Sequence, residues 1–73
     1  MGNTDKVITV SINGATRQIQ TGATAASLIV EMGLAGKRVA LERNGEIVPR
    51  SRFEIQPLSE GDKLEIVVAV GGG

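Results

Sequence analysis

The sequence lacks the side chains on which most enzyme chemistry depends. Its 73 residues include no cysteine and no histidine. Their absence excludes a disulfide framework, a thiol nucleophile, the commonest general base and the commonest metal ligand. A chain of this length also has little room for a deep cleft beside its core. Catalysis by side chains, a bound cofactor and a metal site are therefore not expected.

Aromatic residues and net charge are equally scarce. Phe53 is the single aromatic residue, and eight acidic side chains balance eight basic ones. A nucleic-acid binder needs a basic surplus or a stacking platform, so this class is not expected. No run approaches the roughly 20 apolar residues of a membrane span. The polar start, residues 1–6, predicts a flexible N-terminus without a signal peptide, and hence a cytoplasmic protein.

The charges are placed unevenly, although their sum is zero. This pattern indicates either an ordinary solvated surface or a two-signed face that orients a protein partner. We interpret Glu60 and Asp62 as part of a turn flanked by solvated charges, in preference to a carboxylate pair or metal site. The basic cluster in the middle consists of Lys37, Arg38, Arg43, Arg50 and Arg52, and the acidic end contains Glu54, Glu60, Asp62 and Glu65.

Hydrophobic periodicity predicts five strands and one helix. Apolar residues alternate along the strands, and those of the helix recur at three- and four-residue spacing. Thr24 is a suitable N-cap, Gly33 a suitable helix stop, and each Asn-Gly pair a tight hairpin turn. In order, the predicted elements are strands at 7–12 and about 16–20, a helix at 25–32, and strands at 39–42, 46–48 and 63–70.

The order of these elements predicts the fold. One helix covers one face of one sheet, so the class is α+β, with a mixed sheet of four to five strands. The long apolar last strand belongs in the centre beside the first, which is the β-grasp, or ubiquitin-like, arrangement. We predict one domain over residues 7–70. Residues 50–58 are predicted to be irregular, with Phe53, Ile55 and Leu58 filling the core.

A tail of three glycines, residues 71–73, follows the last strand directly. Its terminal carboxylate is ionised at neutral pH and becomes an electrophile only after activation. Glycine lets a partner approach the backbone closely, so a flexible glycine end on a rigid strand suits a carrier arm. The alternative is a frayed end without function, and the residues alone leave both interpretations open.

Several segments together resemble the ThiS family, the sulfur carriers of thiamin biosynthesis. The resemblance covers nearly the whole chain after Lys6, and its motifs are specific as a set. They are the hairpin region at 39–51 with its Glu-Arg-Asn-Gly-Glu-Ile-Val core, the Gly-Asp turn within 58–62, the last strand, and the ending Val70-Gly71-Gly72-Gly73.

The resemblance implies a cycle at the terminus. A ThiF-type adenylyltransferase uses ATP and Mg²⁺ to adenylate Gly73, with Gly72 as the second member of the diglycine. A sulfur-donating enzyme supplies a persulfide, and the end becomes a thiocarboxylate. Thiazole synthase, ThiG, accepts the sulfur. A chain that continued past Gly73 would first need processing. The free carrier is expected to be a monomer.

Partner contacts are predicted around the root of the tail. The outward residues Val67 and Ala69 either dock on the enzymes or pack against side chains of a neighbouring strand. Val70 and Gly71 continue from them toward the terminus. The predicted contacts with acidic partner surfaces come from three arginines, Arg43, Arg50 and Arg52.

Three alternatives share the same fold. The small subunit of molybdopterin synthase has a similar glycine end, although the hairpin pattern and short length favour the thiamin carrier. A ubiquitin-like modifier would join the same carboxylate to lysines. A β-grasp binding module would carry the glycines incidentally. Deleting Gly72 and Gly73 separates the last class from the carriers, because a binding module would keep its activity.

Overall fold

The structure, a computed structural model, describes residues 6–69 of the chain. The predictions for residues 1–5, Val70 and the glycine tail lie outside this range. The elements in chain order are β1 (Val7–Ile12), β2 (Ala15–Gln20), α1 (Ala25–Glu31), β3 (Val39–Arg43), β4 (Glu46–Val48), a 3-10 helix (Arg50–Arg52) and β5 (Lys63–Val68).

The five strands form one mixed sheet in the order β2-β1-β5-β3-β4. β5 runs parallel to β1 and antiparallel to β3. The last strand therefore lies in the centre, where neighbours on both sides satisfy its backbone groups. This arrangement confirms the predicted β-grasp fold.

Both hairpins turn on an Asn-Gly pair, as predicted. Asn13 and Asn44 have φ values of 52° and 53°, and the glycine after each has φ 88°. Two successive left-handed residues match the twist of the flanking strands, which fixes the register of each hairpin. These turns direct β2 and β4 to the two outer edges of the sheet.

The helix begins at a capping box. The Ser27 N–H donates to Thr24 Oγ1 at 3.2 Å, and the Thr24 N–H donates to Ser27 Oγ at 2.9 Å. These bonds satisfy amide groups that have no partner within the helix. α1 ends one residue before the predicted Met32, and Gly33 follows with φ 76°.

The core lies between α1 and the inner face of the sheet. Phe53 packs against it while remaining partly exposed. The prediction that Ile55 fills the core is wrong, because its side chain is 66% exposed. Leu58 is buried as predicted, and its N–H donates to the Ala23 carbonyl at 3.0 Å. The buried cluster comprises Val10, Ile12, Ile19, Ala25, Leu28, Leu41, Val48, Leu58, Leu64 and Ile66.

Candidate functional site

The candidate site is the end of β5, which leads to the glycine tail. The Ala69 N–H donates to the Arg38 carbonyl at 2.9 Å, so the chain is bonded to the sheet up to that residue. Only four residues follow Ala69. The sheet thus holds the backbone in place until just before the tail. The predicted sulfur-carrying residues Gly72 and Gly73, and the predicted contacts Val70 and Gly71, are not among the described residues.

An apolar surface lies beside this end of β5 on the outer face of the sheet. Val67 is 61% exposed and pairs with Ala40 of β3. Ile47 of β4 is 65% exposed and shares the outer face, because it pairs with the outward residue Glu42. Ala69 is also exposed. We call Ala40, Ile47, Val67 and Ala69 the outer apolar patch.

The patch unites Val67 and Ala69, which the sequence predicted, with Ile47, which it missed. The signal for Ile47 was present in the three-residue strand β4. Once Val48 faces the core, the period of two places Ile47 on the opposite face. The structure therefore adds an apolar side chain of β4 to the face that carries the predicted contacts, with Glu42 between Ile47 and β5.

The predicted arginine contacts lie in different settings. Arg50 and Arg52 are exposed on the 3-10 helix. Arg50 and Lys37 line a shallow depression of about 400 Å³ whose floor includes Val39 and Phe53. Arg43 instead donates from Nε to Asp62 Oδ2 at 2.7 Å. The Arg43 guanidinium therefore already forms an ion pair within the chain.

Asp62 is the buried charged residue of the described chain, with 5% of its surface exposed. The interpretation of this turn as flanked by solvated charges is wrong for Asp62. Besides Arg43, the Asn44 side-chain amide donates to Oδ1 at 3.0 Å, and the Ser59 N–H donates to Oδ2 at 2.8 Å. The carboxylate joins the β3-β4 turn to the segment that enters β5.

The electrostatics of Asp62 follow from these contacts. Burial by itself raises the pKa of the carboxyl group, because it removes the charged form from water. Hydrogen bonds from Arg43, the Ser59 amide and Asn44, together with the charge of Arg43, outweigh that effect. The pKa of Asp62 therefore lies below its ordinary value. The carboxylate therefore stays ionised near neutral pH, where it stabilises the fold rather than acting as an acid or base.

Within residues 6–69, no group of three or more histidine, cysteine, aspartate or glutamate side chains could hold a metal ion. The helix in this range is also too short and too polar to cross a membrane. The distinctive features of the candidate site are therefore its backbone geometry and its apolar surface.

Comparison with protein families gives one match over most of the chain. The model of the ThiS family matches residues 10–73, which includes the glycine tail. The match therefore extends from β1 through the terminal residue. It covers the central strand, both hairpins and the outer apolar patch.

Two curated relatives are thiazole synthases. That of Paramagnetospirillum magneticum is 45% identical over 62 residues, which are 85% of this chain and 19% of the relative. That of Magnetococcus marinus is 34% identical over 64 residues, which are 88% of this chain and 20% of the relative. The chain thus spans about a fifth of the length of these relatives.

A solved structure has the same fold, and the match covers the whole length of the solved chain. The crystal structure of the thiamine biosynthesis protein ThiS from Geobacter metallireducens superposes with a TM-score of 0.76 at 25% sequence identity. The match covers 90% of this chain and 100% of that one. That chain is therefore of similar size and has the same architecture.

Proposed function

This chain belongs to the ThiS family of sulfur carriers in thiamin biosynthesis, and we propose that its carrying group is the terminal carboxylate of Gly73. The observation that carries the proposal is that the sheet holds the central strand up to Ala69, shortly before the glycine tail in sequence. The central strand β5 is bonded on both sides, and its last described contact, from Ala69 to Arg38, lies four residues before Gly73. A rigid strand presents the end of the chain to another protein.

The proposed cycle begins with activation of the carboxylate. A carboxylate oxygen of Gly73 attacks the α-phosphorus of ATP, and pyrophosphate leaves with Mg²⁺ stabilising its charge. The product is an acyl-adenylate. In this proposal, ATP and Mg²⁺ are bound by the activating partner, a ThiF-type adenylyltransferase.

Sulfur transfer follows at the same carbon. The terminal sulfur of a persulfide on the sulfur-donating enzyme attacks the acyl carbon of Gly73, and AMP leaves. Cleavage of the resulting acyl disulfide by a second thiol, which supplies two electrons, gives the thiocarboxylate. Gly72 and Gly73 place no Cβ beside these reacting groups, so partner backbones can approach closely.

The proposed acceptor of the sulfur is thiazole synthase. Two thiazole synthases each contain, within one chain, a segment similar to this protein. Covalent linkage in such a chain keeps the carrier-like segment at a high effective concentration near the rest of the enzyme, which favours their interaction. A separate carrier would meet the same enzyme by diffusion. We expect the free carrier to be a cytoplasmic monomer.

Docking on these partners is assigned to the outer apolar patch, with Arg50 as a separate contact. Val67 and Ala69 lie directly before Val70 and Gly71, so an enzyme that binds the tail also reaches the patch. The exposed Arg50 is suited to an acidic surface of the partner. Arg43 contributes less in this proposal, because Asp62 already holds its Nε.

Removal of the last two glycines tests the proposed carrying group. A chain that lacks Gly72 and Gly73 should fold and bind thiazole synthase through the patch, yet support no thiazole formation in a reconstituted assay. A chain with an amidated C-terminus is the second test variant, since it keeps all residues and loses only the ionised carboxylate, and it too should support no thiazole formation. Sulfur-dependent thiazole formation by either variant would overturn the proposal.

A further inference from the structure

The backbone of β5 alternates between its two neighbours. The Asn44 N–H donates to the Lys63 carbonyl, and the Ala69 N–H donates to the Arg38 carbonyl. In an antiparallel ladder, every second residue bonds to the same neighbour. The odd-numbered residues of β5 therefore bond toward β3. Its even-numbered residues direct their N–H and carbonyl groups toward β1.

The β1 side of this ladder ends early. The Asn13 N–H donates to the Leu64 carbonyl at 2.9 Å, and the chain then turns away at Gly14. The side chain of Asn13 continues the ladder for one more step. The Ile66 N–H donates to Asn13 Oδ1 at 2.8 Å, and Asn13 Nδ2 donates to the Ile66 carbonyl at 3.0 Å. Its amide group thus takes the place of a peptide unit.

Val68 is the next residue whose backbone faces this side. Its register with Val39 places it at a non-bonded position relative to β3. The β1 register ends at Ile12 opposite Leu64, and Asn13 is used by Ile66. Among residues 6–69, neither the β1 register nor the bonds outside the strands include a partner for Val68 on this side. The central strand thus becomes an open edge at the point where the tail begins.

We propose that this open edge at Val68 receives an extended backbone segment of thiazole synthase, which pairs with the carrier by strand addition. The proposal rests on the proposed function, since the same enzyme must hold Gly73, five residues further on. A donor and an acceptor spaced along an extended strand are matched by another extended backbone. The added segment fixes the direction of the arm as the tail enters the enzyme.

The surroundings of the edge fit such a partner. The outer apolar patch begins at the neighbouring residues Val67 and Ala69, so one partner can cover both the edge and the patch. A second copy of this chain is a poorer occupant. Two copies would offer each other only one described residue of open edge apiece, whereas an enzyme that must also hold Gly73 can supply a longer extended segment.

Amide hydrogen exchange tests the proposal on the intact carrier. In the free chain, the Val68 amide should exchange rapidly, whereas the Ala69 amide is protected by its bond to Arg38. In the complex with thiazole synthase, Val68 should become protected by about tenfold or more. A complex in which Val68 exchanges as fast as in the free chain overturns the proposal. Protection that grows with carrier concentration alone identifies a second copy as the occupant, which also overturns it.

Backbone ester substitution gives an independent test. Replacing the amide N–H of Val68 by an ester oxygen, with the side chain unchanged, should weaken binding to thiazole synthase by about five- to tenfold, as expected for one hydrogen bond. The unfolding free energy should fall only slightly, because the ester also makes the Val67 carbonyl a weaker acceptor for β3. The control ester at Ala69 removes the internal bond to Arg38, and should lower stability. Equal affinity of the Val68 ester and the unmodified chain contradicts the proposal.

The two proposals fail in different ways. If thiazole synthase accepts sulfur from Gly73 while Val68 remains unprotected, the carrier function stands and strand addition is refuted. If Gly73 never carries sulfur although Val68 becomes protected in the complex, the chain is a binding partner of thiazole synthase, and the carrier function is refuted.

Discussion

Asp62 and Arg43 show how one residue pair ties the sheet together. They lie 19 residues apart in sequence and meet where the β3-β4 turn contacts the entry to β5. Composition and periodicity describe neighbours along the chain, so they could not reveal this pair. The Gly-Asp turn was predicted correctly as a turn, but the burial of its aspartate depends on Asn44 and Ser59, which only the folded chain brings within reach.

Replacing Asp62 by alanine should lower the unfolding free energy by about 2–3 kcal/mol, because three donors lose a charged acceptor in a buried place. Chemical denaturation of both chains measures the difference. The control is Glu54→Ala, whose side chain is exposed and outside the recorded ion pairs; it should change stability by about 0.5 kcal/mol or less. Equal losses in the two variants would refute the role assigned to Asp62.

The same carboxylate makes stability depend on pH. The folded pKa of Asp62 is lowered, so the folded state holds this proton less tightly than the unfolded chain does. The stabilisation is fully present above the unfolded pKa and is lost as the pH falls through the lower folded value. Denaturation of the wild-type chain and of Asp62→Asn between neutral and acidic pH should show their stability difference shrinking in that acidic window. A difference that stays constant with pH contradicts the assignment.

At the scale of elements, the local signals were sufficient for most of the fold. The two Asn-Gly turns, the Thr24 cap and the apolar alternation of the last strand predicted the hairpins, the helix and the central strand. The segment between β4 and β5 was harder, because it has no period. Both Ile55 and Leu58 are apolar there, and only the folded chain, in which the Leu58 N–H bonds to the Ala23 carbonyl, shows that Leu58 and not Ile55 faces the core.

This difference predicts opposite outcomes for two similar substitutions. Leu58→Ala should lower the unfolding free energy by about 2–4 kcal/mol, because the Leu58 side chain is only 5% exposed and its truncation leaves a cavity in the core. Ile55→Ala truncates a side chain that is exposed to solvent, so it should change the unfolding free energy by about 0.5 kcal/mol or less. Denaturant unfolding of the two variants in parallel provides the measurement. A larger loss for Ile55→Ala would mean that the segment packs in another way.

At the scale of the whole molecule, the sheet has one face for stability and one for partners. The inner face packs on α1, while the outer face carries the apolar patch beside the root of the tail. The sequence predicted Val67 and Ala69 on this outer face, but it missed Ile47. It also could not show that the ladder on the β1 side stops at Asn13, since that depends on side-chain bonds across the sheet.

Val67→Glu should weaken binding to thiazole synthase and to the adenylyltransferase by about tenfold or more, because it places a charge in the centre of the proposed contact. Titration of each enzyme with the variant measures this effect. The matched control is Val30→Glu on the helix, since Val30 is 62% exposed and Val67 is 61% exposed. Both variants should unfold like the wild-type chain. Binding that is unchanged by Val67→Glu, or reduced equally by Val30→Glu, excludes the outer apolar patch as the docking surface.

The most direct test of the whole account is the intact mass of the carrier after incubation with a ThiF-type adenylyltransferase, ATP, Mg²⁺ and a persulfide donor. We predict the exchange of one oxygen for one sulfur, found by fragmentation at Gly73 and dependent on ATP. An unmodified carrier in a mixture that converts another ThiS-family protein, or sulfur attached to any residue other than Gly73, would contradict it.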